Sequence, residues 1–232
     1  MSGQIVTAIL LLGGSGSRFK ESLPKQFLDL SGKKLFLYAL ETFLKSPLIH
    51  QVVIVYNKNF GDLVTQTIYS DCKTDKSVVL VPGGASRQES AYAGLKACPQ
   101  TDIVLIHDAA RPFVTQEMIQ KSIAAMSEYD AACVAIPCTD TLFQLDSTGN
   151  VTDILDRTQF HRAQTPQTFR YPVIMKAHNT ALQNGVTSAS DDCSLVVSLK
   201  KTIHLVPGRE ENIKVTQPTD LLMAEHIIAR DL

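Results

Sequence analysis

The sequence lacks a large excess of charge of either sign and has no long apolar run. Its 22 lysines and arginines nearly balance 23 aspartates and glutamates, leaving a net charge of −1. This balance gives no sign of a nucleic-acid or membrane surface, so an anion site must be local. The apolar stretch at residues 5–12 is too short to span a bilayer and has no basic leader. We therefore expect no targeting or transmembrane segment, and a cytoplasmic protein.

Cysteine is also scarce, with five residues that are scattered along the chain and form no C-x-x-C pair. An odd number without His/Cys ligand spacing is not typical of a disulfide framework or a structural zinc site. The pattern favours a reducing compartment and free thiols.

Short continuous apolar runs are the main structural signal that is present. Such runs are typical of strands that are buried on both faces of a parallel sheet. Because helical patterns separate most of them, we predict one α/β domain over residues 1–232 with a doubly wound, mostly parallel sheet. The predicted strands are 5–12, 52–56, 78–81, 103–106, 131–136 and 203–206.

Helices are predicted from their ends and their periodicity. Ser86 and Glu89 form a capping box, which predicts a helix from Arg87 through the alanine-rich stretch to residue 98. Further helices are predicted over residues 35–44 and from Thr115 to residue 126. Pro172 and Pro218 are placed in first helical turns, where proline is tolerated.

A hairpin interrupts this alternation. Residues 141–145 and 151–155 read as strands around a turn at residues 146–150. Because an isolated two-stranded ribbon is marginally stable, we expect this arm, at about residues 139–157, to pack on another surface such as a second subunit.

The first chemical signal is a glycine loop directly after the first strand. Gly13 begins the sequence Gly-Gly-Ser-Gly-Ser-Arg, which ends at Arg18, and Lys25 follows at short range. Backbone N–H groups of such a loop can converge on phosphate oxygens, to which Arg18 and Lys25 would add positive charge. The loop matches neither the P-loop nor the dinucleotide fingerprint, because Phe19 holds the place of the last glycine. A plain tight turn is the alternative.

Two further loops follow strands. Gly83 and Gly84 precede the capping box, where backbone groups and Ser90 could read the edge of a base, although a simple β-to-α turn explains them equally well. Asp108 stands at the carboxyl end of the strand at 103–106 and could hold a nucleotide hydroxyl or the water shell of Mg²⁺. The alternative is a buried structural Asp108–Arg111 pair. All three loops should meet at one edge of the sheet.

Taken in order, these segments resemble the 2-C-methyl-D-erythritol 4-phosphate cytidylyltransferase family. The likeness covers nearly the whole chain. It rests on the glycine loop with Pro24-Lys25-Gln26, Gly83-Gly84-x-x-Arg87, His107-Asp108-Ala109-Ala110-Arg111-Pro112, Asp156-Arg157, Gln164-Thr165-Pro166-Gln167 and Asn212-Ile213-Lys214-Val215-Thr216.

The resemblance implies a Rossmann-like nucleotidyltransferase fold with a projecting hairpin arm. It implies CTP with Mg²⁺ and a sugar or polyol phosphate as ligands, a role in the non-mevalonate route to isoprenoid precursors, and a homodimer whose arm reaches the partner's active site. The implied chemistry is attack by the acceptor phosphate on the α-phosphorus of CTP, which releases pyrophosphate. A phosphate nucleophile is already ionised, so His107 and His161 are expected to be structural.

The family motifs also imply roles for individual residues. The residues expected to act in catalysis are Arg18, Lys25 and Lys214. Those expected to bind CTP are Leu12, Gly13, Gly14, Ser15, Gly16, Gly83, Gly84, Ala85, Arg87, Ser90, Asp108 and Ala109. Those expected to bind the acceptor are Asp108, Arg111, Thr141, Arg157, Thr165, Ser190 and Lys214, and Asp108 is also a candidate metal ligand.

Three departures from the family pattern leave alternatives open. Leu12-Gly13 replaces two alanines, Ala85 replaces a residue that is polar or acidic in some members, and Ser190 replaces a threonine.

The glycine loop is closer to that of ribitol-5-phosphate cytidylyltransferases, which is the sister activity. A dinucleotide-dependent oxidoreductase would need a third glycine and a ribose-binding acid after the second strand. A silent nucleotide-binding module should have lost one of the basic residues, yet Arg18, Lys25 and Lys214 are all present.

Overall fold

The computed structural model of the chain describes residues 3–13 and 24–231. The strands are β1 Val6–Leu11, β2 Asp29–Leu30, β3 Lys33–Lys34, β4 Gln51–Tyr56, β5 Ser77–Pro82, β6 Ile103–Asp108, β7 Ala131–Pro137, β8 Leu142–Leu145, β9 Val151–Leu155, β10 His161–Arg170 and β11 His204–Pro207. The helices are α1 Leu35–Lys45, α2 Gly61–Asp71, α3 Arg87–Lys96, α4 Gln116–Ala124, α5 Tyr171–Gln183, α6 Asp192–Ser198 and α7 Pro218–Asp231.

A seven-stranded sheet forms the centre of the protein, in the order β11-β7-β10-β6-β1-β4-β5. Every pairing is parallel except the two that β10 makes. All residues of β1 and β6 are buried, as expected for strands covered on both faces. The predicted mostly parallel sheet is confirmed, and the carboxyl ends of β1, β4, β5 and β6 share one edge.

Alternate residues of each strand supply two separate hydrophobic cores. Leu10 and Ile54 pack on one face with helices α1, α2 and α4. Ile9 and Val55 pack on the other face with α3, α5 and α6. This alternation follows from the period of two in a strand, and it gives the doubly wound arrangement that the sequence predicted.

Strand β10 is the main element that the sequence patterns did not predict. It runs antiparallel between β6 and β7, although four of its buried residues are polar: Gln164, Thr165, Gln167 and Thr168. A buried strand without an apolar run has no hydrophobic signature. Helices α2 and α6 were not predicted either: α2 has only two buried residues, Val64 and Thr67, and α6 is only seven residues long.

The predicted helix starts are confirmed. The Ser86 hydroxyl accepts a hydrogen bond from the Glu89 N–H at 3.1 Å. The Glu89 carboxylate accepts from the N–H of Ala85 at 2.9 Å, one residue before the position that a regular capping box uses. Helix α4 begins with Thr115 as its cap, while Pro172 and Pro218 occupy the first turns of α5 and α7.

The predicted hairpin is formed by β8 and β9, which pair with each other and not with the central sheet. Phe143 faces Ile154 and Leu145 faces Val151 across the ladder, so all four side chains share one face. That face is open in the single chain, with Phe143 56% and Ile154 64% exposed. Among the helices described, none is long and apolar enough to cross a membrane.

Candidate active site

The end of β1 and the segment around Lys25 are held side by side. The amide group of Gln26 donates to the carbonyl of Leu12, and the Leu12 N–H donates to Val55 O at 2.7 Å. Lys25 opens a short 3-10 helix, Lys25–Phe27, and therefore lies beside the carboxyl end of β1. Leu12 itself is buried, with its main-chain groups engaged by the protein. Gly14, Ser15, Gly16 and Arg18 lie outside the described residues.

A cavity of about 470 Å³ opens at this edge of the sheet, and we name it the glycine pocket. Its lining combines residues from the ends of β1, β4 and β5 with the first turn of α3. The lining residues are Gly13, Tyr56, Asn57, Lys58, Asn59, Gly83, Gly84, Ala85, Ser86, Arg87 and Ser90. The structure therefore brings together the two predicted glycine segments.

Close packing explains the glycine at position 83. A Cβ atom there would lie 2.7 Å from the Ser90 Oγ and 3.2 Å from a methyl group of Val55. The Ser90 hydroxyl donates to the carbonyl of Ser86 at 2.9 Å. While its proton is used in that bond, the Ser90 Oγ offers a lone pair to a ligand.

A second cavity of about 220 Å³ surrounds Asp108, and we name it the Asp108 pocket. It is lined by Arg87, Asp108, Arg111, Ala163, Gln164, Thr165, Gln167, Ser190, Asp191 and Lys214. Arg87 lines both pockets, so they adjoin at this residue. Arg87, Arg111 and Lys214 make the second pocket rich in cations, which suits a phosphate group.

Asp108 is paired with two cations, and neither is Arg111. Its Oδ1 lies 3.1 Å from Nε of Arg87, and its Oδ2 lies 2.5 Å from Nζ of Lys214. Burial alone would raise the pKa of Asp108, but the charges of Arg87 and Lys214 outweigh it and hold that pKa well below its usual range. Asp108 is thus ionised at neutral pH, and the structural Asp108–Arg111 pair considered from the sequence is wrong.

Arg111 donates to main-chain carbonyls instead. Its Nη1 lies 2.8 Å from Asn212 O, and its Nη2 lies 3.3 Å from Ala163 O. These bonds tie the strand end at Asp108 to β10 and to the segment that carries Lys214. Arg111 therefore lines the Asp108 pocket and also holds its segments together through these hydrogen bonds.

Thr165 and His107 continue this network. The N–H of Asp108 donates to the Thr165 Oγ1 at 3.2 Å, and that hydroxyl lies 2.9 Å from the His107 Nδ1. The His107 Nε2 lies 3.0 Å from Arg111 O, and since a carbonyl only accepts, Nε2 carries the proton and Nδ1 accepts from Thr165. The imidazole of His107 is therefore neutral and fully buried.

The pKa of His107 gives a prediction for stability. Burial lowers it to about 4, despite the hydrogen bond to Arg111, which acts in the opposite direction. Between pH 6.5 and 4 the unfolded chain takes up a proton that the folded chain does not. Stability should therefore fall over that window by roughly 3 kcal/mol from this residue.

Chemical unfolding of the protein and of His107→Gln at several pH values measures this contribution. The variant should lose less stability between pH 6.5 and 4 than the unchanged protein does. Equal slopes for both proteins would contradict a neutral buried His107.

The two arm residues lie away from both pockets of their own chain. Thr141 and Arg157 are exposed at the base of the β8–β9 hairpin, and the Arg157 Nη1 donates to Thr139 O at 2.9 Å. Neither residue lines the glycine pocket or the Asp108 pocket. The predicted acceptor set is therefore only partly assembled within one chain. Ser190 does line the Asp108 pocket, whereas Ala109 is buried behind it.

Some residues of the site carried no motif signal. Gln88 donates to Val186 O at 2.7 Å and accepts from the Ala189 N–H at 2.8 Å, which holds the segment before Ser190. Asp192, at the start of α6, pairs with Arg87 at 2.7 Å. The signal in the sequence that could have pointed to Asp192 is the pair Asp191-Asp192 after Ser190, but such a pair alone indicates only a helix cap.

Comparisons with known proteins identify the family of the chain. The family model "IspD: 2-C-methyl-D-erythritol 4-phosphate cytidylyltransferase" matches residues 6–230. Enzymes of that name from Clostridium acetobutylicum and Syntrophus aciditrophicus are each 36% identical to this chain, with 97% of both chains covered.

Solved structures give the same result. The 4-diphosphocytidyl-2C-methyl-D-erythritol synthase of Anaerococcus prevotii superposes with a TM-score of 0.88 at 28% identity, covering 98% of this chain and 97% of its own. The 2-C-methyl-D-erythritol 4-phosphate cytidylyltransferase of Thermus thermophilus gives 0.76 at 29% identity, with coverage of 95% and 98%. The chain belongs to the 2-C-methyl-D-erythritol 4-phosphate cytidylyltransferase family.

Proposed function

We propose that this protein transfers CMP from CTP to 2-C-methyl-D-erythritol 4-phosphate and releases pyrophosphate, as a step in making isoprenoid precursors. The observation that carries the proposal is the junction of the glycine pocket and the Asp108 pocket at Arg87. One pocket suits a nucleotide, the other suits a phosphate, and the reacting phosphorus would lie between them. The curated relatives bear the name of this activity.

The glycine pocket favours cytosine over uracil. While its proton is used on Ser86 O, the Ser90 Oγ offers a lone pair. Cytosine presents an amino donor at its 4-position, whereas uracil presents a carbonyl there. A base with a donor at that position pairs with Ser90 as it stands, whereas one with an acceptor would require the Ser90 hydroxyl to give up its bond to Ser86 O.

Positioning and charge neutralisation are expected to carry the reaction. An oxygen of the acceptor phosphate forms a bond to the α-phosphorus of CTP while the bond from that phosphorus to the pyrophosphate oxygen breaks. Negative charge accumulates on the oxygens around phosphorus, which Lys25, Arg18 and Lys214 would stabilise. No general base is needed, and the neutral His107, held by Thr165 and Arg111, stays structural.

Magnesium is proposed to enter with CTP. Among the described residues no three His, Cys, Asp or Glu side chains form a metal cluster, and both oxygens of Asp108 face cations. This donor set fits an ion that is held mainly by substrate phosphates and water, with Asp108 as the nearby carboxylate. Bound there, Mg²⁺ would neutralise charge on the triphosphate.

We also propose that the protein is a cytoplasmic homodimer. The apolar face formed by Phe143, Leu145, Val151 and Ile154 would be covered by the second subunit. Arg157 and Thr141, at the base of the arm, would then reach the partner's Asp108 pocket. The five free thiols suit a reducing compartment.

A pyrophosphate-release assay with Mg²⁺ tests the proposed activity. The protein is combined with CTP or UTP and with 2-C-methyl-D-erythritol 4-phosphate or ribitol 5-phosphate. Release should be fast only with CTP and the methylerythritol phosphate. Faster release with ribitol 5-phosphate would move the assignment to the sister activity, and no release with any pair would refute catalysis.

Reversing the charge of Arg157 should impair use of the acceptor. Arg157→Glu is expected to lower kcat/KM for the methylerythritol phosphate roughly 10–100-fold, because a charge-assisted phosphate contact is replaced by repulsion. The KM for CTP should change little. Kinetics with each substrate varied in turn measures both effects, with the exposed Lys73→Glu as the charge-reversal control.

Mixing subunits decides whether the arm acts across the dimer. A Lys25→Ala chain and an Arg157→Glu chain are each expected to be poorly active alone. If the arm reaches the partner's site, each mixed dimer contains one site with both residues intact, so refolding the two together restores activity. If activity is not regained although mixed dimers form, the arm serves its own chain.

A further inference from the structure

A line of alternating charges leads from the Asp108 pocket into the core behind it. The Lys214 amine pairs with Asp108, Asp108 pairs with Arg87, Arg87 pairs with Asp192, and Asp192 contacts His178. Lys214, Asp108 and Arg87 belong to the family motifs, whereas Asp192 and His178 belong to none of them. We propose that Asp192 and His178 are positioning residues that fix the guanidinium of Arg87 between the two substrate pockets. This inference rests on the proposed function.

The contacts on Asp192 use both of its carboxylate oxygens. Its Oδ2 lies 2.7 Å from the Arg87 Nη1, and its Oδ1 lies 3.0 Å from the His178 Nε2. The side chain of Asp192 is only 1% exposed. A buried carboxylate is tolerated only when its oxygens are paired, so Asp192 depends on both neighbours. Burial would raise the pKa of Asp192, but Arg87 and the His178 contact keep it below its usual value.

Asp192 is itself held from a second direction. Its N–H donates to the Gln167 Oε1 at 3.1 Å, and the Gln167 Nε2 donates to the Asp191 Oδ2 at 2.7 Å. Asp191 caps α6 by accepting from Ser194 N at 2.9 Å. The start of α6 is therefore fixed on β10, and the carboxylate it presents to Arg87 has little freedom.

His178 is the second residue that supports the Asp192 carboxylate, and its other surroundings do not require a histidine. It is fully buried on α5, and its ring stacks on Tyr92 with centroids 5.7 Å apart. Its Nδ1 has no hydrogen-bond partner among the described residues. A buried polar atom without a partner destabilises the fold, and an apolar side chain at this position would avoid that cost. The bond to Asp192 is what histidine adds here.

Two carboxylates on different atoms of the guanidinium set the orientation of Arg87. Asp108 holds Nε at 3.1 Å and Asp192 holds Nη1 at 2.7 Å. Because the guanidinium is rigid and planar, two such bonds determine its plane. The donors that remain are then directed by the protein before substrate arrives, so that a phosphate at the junction meets a preorganised cation.

Variants at His178 separate positioning from stability. His178→Leu removes the bond to Asp192, and His178→Gln keeps an amide donor near the place of Nε2. Ile174→Ala, one turn earlier on α5, is the matched control, because Ile174 is equally buried and packs in the same core. Unfolding by denaturant measures the stability of each variant.

His178→Leu should lower kcat roughly tenfold and raise the KM for the methylerythritol phosphate, because a charge-assisted bond that supports Arg87 is lost. The KM for CTP should change less, since the glycine pocket holds the base. His178→Gln should recover most of the loss, and Ile174→Ala should lose stability without this change in kcat and KM. If Ile174→Ala reproduces the kinetic effect, or His178→Gln recovers nothing, the proposal is overturned.

A nuclear magnetic resonance measurement keeps this inference separate from the proposed reaction. The ¹⁵N–¹H signal of the Arg87 Nη1 group, which donates to Asp192, is assigned by its absence in Arg87→Lys. It should exchange slowly with solvent in the unchanged protein, in His178→Gln and in Ile174→Ala, and quickly in His178→Leu. An unchanged signal in His178→Leu overturns the positioning role. If the unchanged protein shows no transfer activity, the proposed function fails while this measurement still decides the role of His178.

Discussion

Replacement of Lys25 by alanine is expected to lower turnover of CTP and the acceptor by roughly 10²–10³-fold, the usual loss when one preorganised charge donor is removed. Lys25 lies beside the end of β1, because the Gln26 amide bonds to the carbonyl of Leu12. That location places the residue at the sheet edge where the triphosphate would lie. Steady-state kinetics with saturating substrates measures the loss.

The fold should survive this change, since Lys25 is only partly buried. Circular dichroism and thermal unfolding check that point, and Lys45→Ala serves as the control because Lys45 pairs with Glu41 on the exposed end of α1. A folded Lys25→Ala variant that forms product at a near-normal rate would remove Lys25 from the mechanism.

Replacement of Lys214 by alanine is expected to lower kcat/KM for the acceptor by roughly 10²–10³-fold. The Lys214 amine is 2.5 Å from Asp108 and lines the cation-rich pocket. Its loss removes a positive charge and leaves the Asp108 carboxylate with Arg87 as its remaining cationic partner. Binding of CTP, measured by calorimetry without acceptor, should be affected much less.

Lys201→Ala is the matched control for Lys214. Lys201 also pairs with an aspartate, at 2.7 Å from Asp130, but lies outside both pockets. Lys214→Arg should retain part of the activity, because it keeps the charge with a different shape. A similar loss of CTP and acceptor binding in Lys214→Ala would show that Lys214 does not act on the acceptor side.

The sequence predicted the elements whose residues are buried in the core and the loop whose close packing requires glycine. The apolar runs of β1, β4, β5 and β6 located the strands to within about two residues, because their side chains pack into or against the two hydrophobic cores. The glycines at 83 and 84 marked a real cavity, since side chains there would collide with Ser90 or Glu89. The hairpin was predictable from its turn.

The pairing of distant side chains was not predictable in this way. Asp108 contacts Arg87 and Lys214, which are 21 and 106 positions away, rather than the nearby Arg111. Only the order of strands in the sheet brings these segments together, and periodicity carries no information on that order. The polar strand β10 was missed for a related reason, since Gln164, Thr165 and Gln167 are buried polar residues whose partners come from distant segments of the site.

The short ion pair between Lys214 and Asp108 has a consequence for selectivity. In the proposed reaction an incoming phosphate would share the Lys214 amine with the Asp108 carboxylate, which takes one of its three N–H donors and neutralises its charge. A small anion such as inorganic phosphate would gain little from this amine, because it brings few other contacts. An acceptor that also fills the rest of the pocket would gain more, so the ion pair would favour the complete substrate over its fragments.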